Sequence, residues 1–547
     1  MQKKQLTLVV VSLLVVVLSV SLAWFTTQII GKGKDVSVTS ANLQIIFNDS
    51  DGALSANDIE PGWSATKTFT VKNDSKSEYK YNIVIKDLVN TFVTEGYLQY
   101  KITSTNSGYN MTNYKDVPKS QTAKDTVLAY SVSIPVGVTQ TYTIEFTYPN
   151  DENVDQSVDM NKKLSGTLFI AEGSEPTLLS QILNDNPTRS TRSNDNNGTN
   201  DFATPLTTTT TGTLFTSTES IAGVTDSQKE VYYYAGNTTN NWVKFGKYQK
   251  DLVVYWGYND PTNTSDYIEY STLDECNSSS FYNLNCTEYK YANAGNDIYW
   301  QIIRTNHDGS IRLLYVGNRH DTERNNIGKS VFNTNSNSPK YVGYKYGEDT
   351  SLDTIRNNTT DSTIKTFIDK WYQNNLINYT KYLSTSAVYC NDRSLGTGQT
   401  YSVEEDFNYS SVERLVTNKA PSYNCTDIRD AFSVDNTSAK LDYPIALITA
   451  DEIAFAGEVA FQTIGHSYGW IDKNGTTYWW GVSPIGWNDE YAQIFRWIFD
   501  NVKLEEYAVE NEYGVRPVTS LKACVKWKSG NGSASNPYTI EETSTGC

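Results

Sequence analysis

Six cysteines, Cys276, Cys286, Cys390, Cys425, Cys524 and Cys547, all fall in the second half of a 547-residue chain. The residues before Cys276 must therefore hold their fold by packing and hydrogen bonding alone, whereas the rest can be cross-linked. An even cysteine count in an exported chain points to disulfides, and the signal for export lies at the other end of the sequence. Lys3 and Lys4 precede an apolar run from Leu6 to Phe25, broken only by Thr7, Ser12, Ser19 and Ser21. Residues 1–30 read either as a secretory signal peptide or as one membrane-spanning anchor, and both readings export the remainder of the chain. Ser21-Leu22-Ala23 places small residues where a signal peptidase reads them, yet the run is also long enough to span. The basic flank sets the N-terminus on the cytoplasmic side if the segment stays uncleaved, which would make it the membrane contact. No second apolar run occurs, and no C-terminal anchor is expected.

Six cysteines allow fifteen pairings. Sequential closure, Cys276 with Cys286, Cys390 with Cys425 and Cys524 with Cys547, needs only local loops and fastens the C-terminus, so it is the expected one. Zinc would need clustered CxxC or Cys/His pairs, which do not occur; no metal and no cofactor is expected. The charge balance narrows the partners. Of 45 basic and 62 acidic residues, four lysines and no acid lie in residues 1–34, leaving 41 basic against 62 acidic, a net of −21, on the exported part. A field of that sign repels phosphate backbones and anionic headgroups, which excludes nucleic acid as a partner.

Residues 35–172 alternate apolar and polar positions in Lys67-Phe69-Val71, Tyr79 to Ile85, Leu128 to Ile134, Tyr142 to Tyr148 and Leu164 to Ile170, with turn-rich stretches between them. Seven or eight such strands predict an all-β sandwich. Leu22-Ala23-Trp24-Phe25-Thr26-Thr27, then Ile59-Glu60-Pro61-Gly62-Trp63-Ser64 and Lys67 to Asn73, resemble the TasA/camelysin group of bacterial biofilm-matrix proteins. That resemblance implies either a spacer or a fibre-forming subunit that assembles through the sandwich. Residues 173–230, with Arg189 to Asn200 and five threonines at 207–211, lack apolar periodicity and read as a disordered linker.

Residues 231–547 mix strand and helix signals. Ile298 to Arg304 and Ile311 to Tyr315 flank Asn306-His307-Asp308-Gly309 and predict a hairpin. Asp361 or Ser362 caps a helix over Thr363–Asn375, in which Ile364, Phe367, Ile368 and Trp371 form one stripe. Ile445 to Ile448 reads as a buried strand, and Thr449-Ala450-Asp451-Glu452 as a capping box opening a helix that stops at Gly457. In Ile494 to Phe499, strand geometry puts apolar side chains on both faces.

Tyr478 to Pro484, Tyr513 to Val518, Leu521 to Cys524, Tyr299 to Arg304, Ile364 to Leu376, Cys390 to Ser394 and Tyr443 to Glu452 together resemble a bacterial domain family of C-type-lectin-like, formylglycine-generating-enzyme-like character without an assigned function. The implied architecture is multidomain: an N-terminal all-β sandwich and a C-terminal α+β C-type-lectin-like domain. In such folds the segment between the Trp-Trp and Gly-Val-Arg-Pro strings forms the exposed ligand face, which maps here to Ile485 to Glu512. Within it Trp487, Asn488, Asp489, Tyr491, Glu505 and Glu510 offer stacking surfaces beside acceptors, a chemistry suited to a glycan or a surface protein. Trp479 and Trp480 are expected in the core and Arg516 in a structural role. Lectin-type Glu-Pro-Asn and Gln-Pro-Asp calcium triplets are absent. No GxSxG, HExxH or phosphate-binding glycine loop occurs, and no enzyme is expected. The expectation is an exported, adhesin-like binding protein, with a structural matrix subunit as the competing class and an uncharacterised extracellular enzyme as the second alternative.

Overall fold

The computed structural model describes residues 36–547 apart from 41–42, 50–53, 57–58, 95, 174–175, 193–200, 226, 261, 263–266, 280–284, 323, 463–468, 472–477 and 499–502. The N-terminal apolar segment therefore lies outside the described residues. Among those described, no helix is long and apolar enough to cross a membrane. The chain is β-rich and divides into two compact units, one ending at Pro176 and the other running from Thr177 to Cys547.

Among its described residues the first unit holds ten strands: β1 (Val36–Ser40), β2 (Leu43–Asp49), β3 (Leu54–Ala56), β4 (Trp63–Asn73), β5 (Tyr79–Asn90), β6 (Gln99–Ser104), β7 (Lys115–Asp116), β8 (Ser120–Ile134), β9 (Thr139–Tyr148) and β10 (Leu164–Glu172). They form two antiparallel sheets, β1-β2-β4-β9-β6-β7 and β3-β10-β5-β8, in a sandwich-like arrangement. Alternation decides which side chains meet between them. In β4 Phe69 and Val71 are buried while Thr68 is exposed, and in β9 Tyr142, Ile144, Phe146 and Tyr148 all point inward. From the second sheet Ile83, Ile85, Val132, Leu168 and Ile170 complete the same core. Every alternating segment read from the sequence lies inside a strand; the additional strands are mostly short.

The second unit begins some fifty residues before the boundary expected at residue 231, and this corrects the reading of 173–230 as a disordered linker. Thr177 caps helix α1 (Leu178–Asp185), accepting a bond from Ser180 N at 3.1 Å. Strand β11 (Thr188–Thr191) pairs in parallel with β12 (Thr213–Glu219), which pairs with β13 (Lys229–Tyr233). Leu178, Ile182 and Leu214 enter the main core, while Phe202, Leu206 and Phe215 pack with Val231, Tyr233, Tyr423 and Phe455. Arg192 reaches across to the carbonyls of Ala454 and Phe455 at 2.9 and 3.2 Å. Apolar residues this sparse cannot stabilise a helix or strand alone, but each finds a partner on the elements downstream.

The main sheet of this unit runs β11-β12-β13, then β15 (Asp297–Thr305) and β14 (Trp242–Lys247), and continues to Tyr538–Ile540 and Trp527–Ser529. Off this path β15 pairs with β16 (Ile311–Gly317) across the Asn306–Gly309 turn. Helix α2 spans Thr363–Asn375, and Ser362 rather than Asp361 is its cap, accepting from Lys365 N. Strand β17 (Ile445–Leu447) leads into helix α3 (Ala450–Phe455), opened by the Thr449/Glu452 capping box. A second sheet contains β18 (Trp479–Trp487), β19 (Ala492–Ile498) and β20 (Lys503–Ala508), with β20 last in order. Strand β21 (Pro517–Leu521) pairs with both β16 and β17 and closes the main sheet. The three disulfides close sequentially: Cys276–Cys286, Cys390–Cys425 and Cys524–Cys547.

A buried ionic network ties the early segment to this frame. Arg304 on β15 donates to Glu219 on β12 and to Glu452 on α3, each at 2.8 Å, and Arg312 on β16 also reaches Glu452. His307 in the hairpin turn adds its backbone N–H and, at 3.2 Å, its Nδ1 to the Glu219 carboxylate.

Candidate functional site

The segment 485–512 is not an open loop. Its described residues form the end of β18, the turn into β19, the whole of β19 and β20, and the turn after β20. All nine residues of β18 are buried, which puts Trp479 and Trp480 in the core and also corrects the placement of Trp487 on the ligand face. Trp487 is 4% exposed, flanked by Ala492 on β19 and by Phe407 of a short strand on the other side. A strand covered on both faces shows no alternation, so its last tryptophan cannot be told from a loop residue by pattern.

The turn after β18 explains Asn488 and Asp489. The Asn488 Oδ1 accepts from the backbone N–H of Glu490 and Tyr491 at 3.3 and 2.8 Å, and Asp489 sits at the exposed tip with φ of 60°. Side-chain bonding to the next backbone groups and tolerance of left-handed geometry are what favour Asn and Asp in turns. Beyond the turn, Ile494 and Phe495 are both buried although they point to opposite faces of β19.

Along β20 runs an open groove of about 610 Å³, lined by Phe461, Tyr491, Gln493, Glu505 to Ala508, Glu510 and Asn511. Three of the six candidate ligand residues, Tyr491, Glu505 and Glu510, come together here; Trp487, Asn488 and Asp489 do not line it. Its volume falls within the roughly 300–1,000 Å³ typical of ligand pockets. Phe461 and Tyr507, 40% and 37% exposed, present ring surface. Gln493, Glu510 and Asn511 supply polar groups, and Ser336 Oγ, donating to Glu510 at 2.7 Å, holds that carboxylate in place. Among the described residues no Lys or Arg lines the groove.

Behind it Arg496 is nearly buried, 3.2 Å from Glu505 and stacked over the rings of Tyr507, Tyr513 and Tyr478 at 3.8, 4.3 and 5.0 Å. That stack fixes the Tyr507 ring from below, so the groove's principal aromatic surface is preformed. Sequence reasoning missed Phe461, Gln493, Tyr507 and Asn511. Phe461 reaches the site through a bond from its N–H to Leu504 O at 2.9 Å, a long-range pairing with no local signal, and its φ of 59° is unusual for a bulky residue. Tyr507, by contrast, lies between two of the residues singled out and was legible.

Arg516 is fully buried and donates to the carbonyls of Tyr315 and Ile471 at 2.8 and 3.2 Å. Elsewhere Asp361, Asp369 and Asp442 converge closely enough to suggest a metal centre. Lys365 Nζ already lies among them at 3.0, 2.6 and 2.8 Å, filling the position a cation would take. Burial nonetheless pushes the Asp369 carboxyl up to about 6 against the pull of Lys365.

No family model matches the chain, and no curated protein matches it. Among solved structures, a xanthan lyase from Paenibacillus aligns at 9% identity and a TM-score of 0.13, covering 49% of this chain and 23% of the lyase. A chain from the chaperone–tip adhesin complex of CFA/I fimbriae biogenesis aligns at 11% identity and a TM-score of 0.08, covering 45% of this chain and 86% of that one. The chain thus spans less than a quarter of the lyase's length, and likenesses this low carry no argument about fold or activity.

Proposed function

We propose that this is an exported, adhesin-like binding protein of the bacterial cell surface: a TasA/camelysin-like sandwich serves as the stalk, and a C-type-lectin-like head binds a glycan or a surface protein. The observation that carries the reading is the β20 groove, where exposed rings over a fixed Arg–Tyr stack stand beside hydrogen-bonding side chains. Three disulfides fit an oxidising, extracellular setting. Three of the four sheet edges among the described residues, all but β1, favour a stalk over a polymerising subunit. β3 and β7 have only three and two residues, and the pairing of β8 with β5 shifts register four times, features that blunt an edge against strand addition.

The test is a panel of glycans and surface proteins presented to the disulfide-intact chain, with Tyr507→Ala and Tyr491→Ala as variants. Binding that falls at least tenfold in Tyr507→Ala while the melting temperature holds supports the groove. Undiminished binding moves the site elsewhere, and a chain that binds nothing but polymerises through its first unit sinks the adhesin reading.

A further inference from the structure

Among the described residues of the first unit five large apolar side chains are exposed, and four of them stand at one end: Val93 at 51%, Val154 at 37%, Val158 at 51% and Met160 at 70%. Val93 follows the end of β5, and the other three lie between Tyr148, where β9 ends, and Leu164, where β10 begins. Asp159 gathers them. Its carboxylate accepts from the backbone N–H of Val93, from that of Thr94 at 3.2 Å and from Tyr148 Oη at 2.8 Å, which holds the Val158–Met160 turn beside Val93. Single exposed apolar residues need no explanation, but a cluster of them at the tip of a sandwich marks a contact surface. The fifth, Val136, lies at the opposite end, in the turn where Gly137 N donates to Asn73 O.

Strand directions say what that tip faces. The register through β2 sets Val36 level with Val71 of β4. From Val71 back to Trp63, which pairs with Tyr148 at the tip end, is eight residues of strand, about 26 Å. β1 runs away from the tip, so its N-terminal end is the one turned towards it. Phe25, the last residue of the N-terminal apolar run, precedes Val36 by eleven residues, a reach of at most about 40 Å. The apolar run therefore ends within reach of the tip plane, with little slack. β10 meanwhile runs from Leu164 at the tip to Glu172 beside Tyr81 at the far end, where the chain leaves the unit.

The charges around the tip suit a seat at a lipid surface. Lys162 and Lys163, both exposed, follow Met160, and Lys119 Nζ donates to Val93 O at 2.7 Å. Lysine stems lie along apolar surface and carry the ammonium out to polar headgroups. Asp151, Glu152 and Asp155, beside Val154, offset that charge, so the apolar side chains rather than lipid charge set the contact.

We propose that this tip is the membrane-facing end of the stalk, with Val93, Val154, Val158 and Met160 entering the headgroup and upper acyl layer of the bilayer that holds residues 6–25. The inference rests on those residues staying uncleaved as an anchor, and adds to that reading a defined stance: tip on the lipid, exit of β10 away from it. It is independent of what the β20 groove binds.

The full disulfide-intact chain, reconstituted in phosphatidylcholine vesicles, tests it with a photoreactive benzophenone amino acid in place of Val158 or, as the control, of Val136. Irradiation is expected to attach lipid at position 158 at least tenfold more than at position 136. Val154→Asp and Met160→Asp, introduced together on exposed side chains, are expected to lower attachment at 158 at least threefold without moving the melting temperature. Carbonate extraction separates the tip contact from the anchor. A chain that resists extraction yet takes up lipid equally at both positions, or cross-links at 158 to a second copy, overturns the tip contact and leaves the anchor standing. Undiminished attachment in the aspartate variant does the same, and a chain released by carbonate overturns both.

Discussion

Replacing Glu219 by alanine should destabilise the second unit far more than a surface substitution does, because the residue is 1% exposed and its carboxylate faces Arg304 and His307. Burial by itself would raise its carboxyl, but the Arg304 charge, the His307 bonds and the Arg312 charge win and hold it at about 2, against an ordinary 4.5. At about 1.4 kcal/mol per unit, that difference corresponds to roughly 3 kcal/mol. Removing one member of a buried ion pair costs about 3–5 kcal/mol. Arg304 keeps Glu452, so the lower end applies.

The assay is urea unfolding of the disulfide-intact chain by tryptophan fluorescence, comparing the transition of the second unit in wild type and variant. The pH dependence provides an independent check. A depressed carboxylate stabilises fully above its unfolded pKa and loses that contribution as pH falls through its folded pKa. The difference between the proteins should therefore be full above about 4.5 and shrink toward zero near pH 2. A loss under about 1 kcal/mol at pH 7, or one that does not change between pH 6 and pH 2.5, would refute the reasoning.

The same frame sets three further outcomes. A fragment starting at Thr177 should fold and melt cooperatively, whereas one starting at residue 231 exposes the surfaces left by Leu178, Ile182, Leu214 and Phe215 and should be degraded in limited proteolysis. Trp487→Ala should cost about 3–5 kcal/mol as a core truncation, while Tyr507→Ala should change stability by less than about 1.5 kcal/mol yet weaken ligand binding, an opposition that paired melting and binding measurements resolve. Replacing Cys390 and Cys425 together by alanine releases a loop of 35 residues and should cost about 4 kcal/mol in denaturant titration; peptide mapping without reductant should recover the three sequential pairs in the parent.

What was legible in the sequence was local. The α2 boundaries, the Thr449/Glu452 box and the Asn306–Gly309 hairpin depend on residues within a few positions of one another, and β4 and β9 of the first unit alternate buried with wetter positions, which the pattern reveals. The segment from Thr177 to Glu230 was not legible. Leu178, Ile182, Leu206, Leu214, Phe215 and Ile221 keep no single period because they sit on different elements and contact different parts of the unit. Trp487 misled for the opposite reason: it ends a strand without a wet face and is succeeded at once by Asn488-Asp489-Glu490, which reads as a loop. Half of the candidate site survived as a cluster because Tyr491, Glu505 and Glu510 are brought together by neighbouring strands; Phe461 enters by a bridge spanning more than forty residues.

The docking of residues 177–230 has a mechanical consequence. A pull entering the second unit at Thr177 meets no covalent cross-link before Cys276, 99 residues on. At about 3.3–3.6 Å per extended residue, some 330–360 Å of chain can be drawn out before the first disulfide bears load. The noncovalent clasp formed by α1, β11, β12 and the Glu219–Arg304 pair meets that load first, and β13 and β14 must follow it out of the main sheet before the whole length is released. Beyond it, each of the three staples shields its own loop from extension.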